Sequence, residues 1–149
     1  MMISVDTNIL LYAQNADCLE NPRALGFLQD IACRDDVVIC ELVLVEFYLL
    51  LRNPAVLRTP LAAPEAVAIC QAFRNNAKWR LVENAPIMPK VWEAAETEQF
   101  ARRRIIDLRL ALTLQHHGVT DFATANLKDF QNVGFVRVWN PMDHPGLDP

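Results

Sequence analysis

Residues 2–14 read MISVDTNILLYAQ, a short apolar run of strand character that passes through Asp6, Thr7 and Asn8 into a run of helical character. Asp, Thr and Asn are favoured helix N-caps, so this junction marks the end of a strand and the start of a helix. The alternation continues outward from it. Asn21-Pro22 opens a helical stretch through ALGFLQDIA, Asp35-Asp36 is a turn signal, and VVIC (37–40) is a compact β-branched strand candidate. Glu41 to Leu51 has helical length and ends near Asn53-Pro54, and Pro64 with Glu65 opens another helix to about Asn75. LVENAP (81–86) is ambiguous and can hold a strand end, and Pro89 starts a helix carrying Trp92. Arg103 to His117 reads as a helix closed by Gly118. VTDFATA (119–125) and FVRVW (135–139) are the last strand candidates. Strands alternating with helices predict an α/β fold with a central, mainly parallel sheet, whose ligands gather beyond the C-terminal strand ends. Asp6 stands at such an end.

At 149 residues the chain is expected to form a single domain over 1–149, with an irregular tail from about residue 141. A hydrophobic fraction of 52% with mean hydropathy +0.11 suggests apolar surface that a partner covers. The run LVLVEFYLLL (42–51) carries Glu46 and falls short of the ~18 residues that would span a bilayer, so no membrane association is expected. Met1 leads directly into Ile3, Val5 and Asp6 without a signal-peptide pattern, and a cytoplasmic location is expected. Cys18, Cys33, Cys40 and Cys70 lack zinc-site spacing and are expected to be reduced and mostly buried. Eighteen acidic against 14 basic residues, net charge -4, argues against nucleic-acid binding by bulk charge and leaves room for one local site.

Two acids stand where acids are costly. Glu46 has Leu42, Val43, Leu49 and Leu50 at helical spacing, which places it within an apolar stripe; Asp107 has Leu110, Ala111 and Leu114. A carboxylate buried in such a stripe requires a partner or a metal. Each acid has a bland account. Asp6 can be a helix cap, Glu46 can pair with an arginine at the core edge, and Asp107 can pair with Arg103 or Arg104. All three accounts would have to hold together, which weakens them. Three carboxylates at one sheet edge repel one another and call for a cation; all-oxygen ligands suit Mg²⁺ or Mn²⁺, whose waters serve phosphodiester hydrolysis.

The stretches VDTNILLYA, VLVEFYLLL, RRRIIDLRLALTLQHHGV, FATANLKDF and VWNP, in that order and spacing, resemble the PIN-domain ribonucleases, in particular the VapC-type toxins of bacterial toxin–antitoxin pairs. The resemblance implies a three-layer α/β/α sandwich and a metal-dependent endoribonuclease, with the metal on Asp6, Glu46 and Asp107. It also implies an RNA substrate, a small antitoxin that occludes the site, and a homodimer. The fourth family position, often Asp and often Asn, falls on Asn126 after Thr124; an amide adds no charge, and Asp129 three residues on is a weaker candidate for the missing carboxylate. Thr7 and Asn8 are expected to orient Asp6.

Other features have plainer readings. Arg102 to Arg104 form a dense basic run that either tracks phosphate or is a solvated face, the latter being commoner. Arg109 can face outward or pair with an acid. His116 and His117 complement a helix C-terminus. Trp79, Trp92 and Trp139 are expected in core or interface, and Asp121 is expected to be structural. A non-catalytic PIN-like module that binds RNA or protein is the main alternative. A phosphatase with Asp6 as nucleophile would want a second acid where Asn8 stands.

Overall fold

Three of the five strands are buried along their whole length, as parallel strands covered on both faces must be: β1 (Ile3–Val5), β2 (Val38–Cys40) and β4 (Asp121–Ala123). The computed structural model describes residues 1–143. The rest of the expected irregular tail, 144–149, lies outside the described residues.

In chain order the elements are β1, α1 (Thr7–Gln14), α2 (Asn21–Ile31), β2, α3 (Glu41–Leu51), α4 (Ala63–Arg74), β3 (Arg80–Val82), α5 (Met88–Ala95), α6 (Arg104–His116), β4, α7 (Leu127–Phe130) and β5 (Arg137–Trp139). β4 pairs with β1 and β5, β2 pairs with β3, and every pairing is parallel. A parallel bridge between Ile3 and Val37, with the Ile3 N–H donating to the Asp36 carbonyl at 2.9 Å, joins the two sets. The strand order is therefore 3-2-1-4-5, with the chain reversing its direction of travel across the sheet at β1 and β4. Helices α1 to α4 pack among themselves, as do α5 to α7, which gives the two helical layers of the α/β/α sandwich.

Helix starts follow the sequence cues. Proline occupies the first turn of α2, α4 and α5, where its missing N–H costs nothing. Gly118 takes φ +90° after α6, and a side chain there would also press on the Met2 sulfur at 3.3 Å. The ambiguous LVENAP segment contributes Leu81 and Val82 to β3.

The main core gathers Phe27, Phe47, Phe122 and Phe130 with the aliphatics of β1 and β2, and Trp139 meets Phe27 edge-on at 6.0 Å. A smaller cluster of Ile87, Val91 and Leu108 lies between α5 and α6. Of the tryptophans expected in core or interface, Trp79 and Trp139 are core residues and Trp92 is 60% exposed. Cys40 and Cys70 are buried, Cys18 is half-buried and Cys33 is exposed, so the thiols are less uniformly buried than the sequence suggested. No helix among the described residues is long and apolar enough to cross a membrane.

Candidate active site

Register brings the first acid to its partner. Val5 lies opposite Ala123, so Asp6 and Thr124 leave adjacent strands side by side, and the Asp6 N–H extends the ladder to the Ala123 carbonyl at 2.9 Å. Asp6 is 6% exposed. Its Oδ1 accepts the Thr7 backbone N–H at 2.8 Å, while Oδ2 accepts the Thr124 hydroxyl at 2.6 Å and the Asn8 amide at 3.3 Å. Asp6 thus caps α1 and serves the cleft with the same carboxylate. The expectation that Thr7 and Asn8 orient it holds, and Asn8 goes further: its Oδ1 accepts the Ala125 N–H at 3.1 Å and ties the two strand ends together.

Glu46 departs from the sequence reading. The buried face of α3 is Val43, Leu44, Phe47 and Leu51, and Glu46 is half-buried beside it, with Leu49 exposed. The stripe read from the sequence was rotated toward solvent, because apolar residues surround α3 on nearly every side and periodicity could not locate its buried face. The Glu46 Oε2 accepts the Thr7 hydroxyl at 3.1 Å, so Thr7 links two acids through its backbone and its side chain.

Asp107 is half-buried in the first turn of α6, on the far wall. Glu46, Asp107 and Asn126 line both an inner cavity of about 320 Å³, which Asp6 also lines, and an outer one of about 790 Å³. The two form one cleft beyond the C-terminal ends of β1, β2 and β4. Arg103, Arg104, Lys128 and Asp129 line its outer part. Asn126 precedes α7 without a side-chain capping bond, and its N–H donates to the Thr124 hydroxyl at 3.0 Å, so one threonine positions both strand-end residues. Thr124 stood in the sequence only as a landmark, since nothing in a sequence tells a buried hydroxyl that orients an acid from one that fills a strand.

Burial raises the Asp6 pKa to about 6, and the neighbouring Glu46 adds to the rise against the hydrogen bonds that lower it. Asp107 is likewise raised to about 6 by burial, then by Asp129, Asp6 and Glu46. Asp129 therefore acts on the cleft electrostatically. Among the described residues the salt bridges join Arg34 to Asp36, Arg58 to Asp17 and Arg74 to Glu41, and none reaches these four acids. The arginine-paired accounts of Glu46 and Asp107 are thereby removed. Arg109 is exposed, and Asp121 is buried and accepts the Thr120 hydroxyl at 2.7 Å, which suits a structural role.

The cleft offers a hard cation the right donors, carboxylate oxygens without thiol or imidazole. With the side chains as they stand, no three acidic, histidine or cysteine groups among the described residues converge closely enough to hold an ion.

A sequence profile of the PIN domain matches residues 3–136. The chain belongs to the PIN-domain family. This PIN-domain chain is 57% identical over 145 residues to Ribonuclease VapC24 of Mycobacterium tuberculosis, in each of two strains, covering 97% of this chain and all of that protein. Its fold is similar to the crystal structure of Mycobacterium tuberculosis VapC20, described as a sarcin-ricin loop cleaving toxin. The TM-score is 0.65 at 19% identity, over 89% of this chain and 95% of that one.

Proposed function

We propose that this PIN-domain chain is a VapC-type toxin, an endoribonuclease that hydrolyses RNA phosphodiesters with the help of Mg²⁺ or Mn²⁺. The observation that carries the reading is full-length similarity to a VapC ribonuclease in a chain whose unpaired acids line one cleft. Asp6, Glu46 and Asp107 would hold the ion, with Asp129 adding negative charge from the rim. Glu46 and Asp107 would do so from rotamers other than those described. When bound, the ion supplies Lewis-acid polarisation of a phosphoryl oxygen and makes a coordinated water more acidic.

The chain's own residues prepare that chemistry. Thr124, Asn8 and the Thr7 N–H keep the Asp6 carboxylate in place at the cleft, so Asp6 itself needs no reordering. Asn126, at the mouth of the inner cavity, is placed to orient the attacking water, its amide both accepting and donating hydrogen bonds. Arg103, Arg104 and Lys128 meet the phosphates that flank the scissile bond. The basic run thus takes a functional role in this reading.

A small antitoxin protein fits the same cleft. Leu49, 62% exposed, and Ile106, 51% exposed, stand at the rim of the acid-lined cavities, where a partner would cover them. Homodimerisation belongs to the same reading.

The test is digestion of total cellular RNA by the purified, partner-free chain with Mg²⁺, with Mn²⁺ and with chelator, beside Asp6→Asn. Discrete cuts that need the metal and vanish in the variant are expected. Cleavage retained by Asp6→Asn would overturn the site, and RNA binding without cuts or metal dependence would assign the chain to the non-catalytic alternative.

A further inference from the structure

Beside the acid cleft lies a second groove, of about 630 Å³, that the proposed chemistry does not use. It runs between α5, the segment 97–100, α6 and the loop at Asn132, and Arg104 lines both it and the acid cleft. Its floor is apolar: Phe100, Leu108, Leu112 and Val133. Its rim is polar: Lys90, Gln99 and Asn132. Phe100 is half-buried against the small cluster of Ile87, Val91 and Leu108, and the Arg104 guanidinium carbon lies 5.9 Å from its ring centroid. Aromatic rings and guanidinium planes are both surfaces on which a nucleobase stacks.

We propose that this groove takes an unpaired nucleobase of the RNA being cut, stacked on Phe100, and that Phe100 is a positioning residue for the substrate. The inference rests on the ribonuclease reading and names part of its substrate: a strand unpaired next to the scissile bond. Three observations favour a base over other occupants. Continuity with the acid cleft through Arg104 means that a strand with a phosphate at the acids can pass directly over the groove. Lys90 and Arg104 complement the phosphates of such a strand. The combination of apolar floor and amide-bearing rim matches a base, whose faces are apolar and whose edges accept and donate hydrogen bonds. Stacking reads any base, so the groove selects unpaired structure more than sequence. The amides of Gln99 and Asn132 are the groups that can add preference for one base edge.

The test uses a synthetic oligoribonucleotide spanning the cut mapped in the total-RNA digest, and copies in which a single abasic residue is stepped through the positions on either side. With the unaltered chain, kcat/KM is expected to fall about tenfold when the base is missing at one flanking position. Phe100→Leu keeps the apolar packing and removes the ring. It is expected to slow cleavage of the intact oligomer by about the same factor, to cause no further loss on the abasic copy, and to lower the melting temperature only slightly. Phe100→Trp is expected to restore the rate. Overturning results are additive losses, equal base dependence in Phe100→Leu and the unaltered chain, or a lowered melting temperature with base dependence intact. The last of these would assign Phe100 to packing alone. Failure of the unaltered chain to cut any RNA would bring down the ribonuclease reading and this inference with it, whereas base-independent cutting would bring down this inference only.

Discussion

The sheet carries acids at both ends of its strands and treats them in opposite ways. At the N-terminal edge, Asp36 before β2 is held by Arg34 through two hydrogen bonds, and Asp121 at the start of β4 accepts the Thr120 hydroxyl. The Arg34 hydrogen bonds hold the Asp36 carboxyl below the usual carboxylate range. At the C-terminal edge, Asp6, Glu46, Asp107 and Asp129 line one cleft, none of them in a salt bridge among the described residues, and Asp6 and Asp107 are pushed up to about 6. An acid whose charge is met within the chain stabilises the fold. Acids left to repel one another cost stability, and the cost is offset when a cation arrives. The same residue type, on the same sheet, is structure at one edge and a candidate site at the other.

The largest break in this contrast is expected at the far wall. Asp107→Asn removes one of the mutually repelling charges without changing side-chain size, and metal-dependent RNA cleavage should fall on the order of 100-fold or more. The metal-free variant should melt no lower than the unaltered chain. A variant that still cleaves at full rate would show that Asp107 belongs with the structural acids.

The next effect is on stability. Asp6 ionises above about pH 4 when unfolded but only above about 6 when folded, so folding takes up a proton between those values and stability falls as pH rises through the window. The metal-free chain should therefore lose about 2 kcal/mol from Asp6 between pH 4.5 and 7.5. Asp107 acts in the same direction, more weakly because water reaches it. Denaturant melts in chelator will read this as the difference between the unaltered chain and Asp6→Asn, which should grow with pH in favour of the variant. A difference that does not change with pH would mean that Asp6 is as well compensated as Asp36.

A smaller loss is expected from Thr124→Val. The variant removes the hydroxyl donated to Asp6 at 2.6 Å and the acceptor that takes the Asn126 N–H at 3.0 Å, so the acid and the amide lose their common anchor. Cleavage should slow about tenfold with the metal requirement retained. An unchanged rate would leave Asp6 oriented by Thr7 and Asn8 alone.

The smallest effect sharpens the comparison from the other edge. Asp36→Asn breaks the pair with Arg34, in which both side chains are half-buried, and should cost on the order of 1 kcal/mol. Metal-dependent cleavage should not change. A loss of activity there would mean that the two ends of the sheet are coupled.

Read from the residues, the chain already determined most of the fold and marked the acids that the structure gathers along one cleft. Strand and helix alternation follows from local chemistry: β-branched runs, prolines in first turns, a glycine that ends α6, and Asp-Thr-Asn at the first junction. These signals act over a few residues and survive without tertiary context. The cleft acids were legible because a carboxylate at a strand end or on an apolar helix needs a reason, and because five spaced stretches resemble one family. The tertiary structure decided what depends on neighbours distant in sequence. The buried face of α3 could not be located in a helix apolar on nearly all sides, and packing placed Glu46 beside that face, on Thr7. Parallel register put Thr124 next to Asp6 across 118 positions of sequence, a separation no local pattern encodes. Asp129, the weaker candidate in the sequence, gains its influence on Asp107 only because α7 folds back toward α6, and the groove at Phe100 exists only where α5, α6 and the Asn132 loop close together. Covalent order and local propensity therefore chose the elements, while burial, register and uncompensated charge, which arise only when distant segments meet, made one edge of the sheet a candidate site.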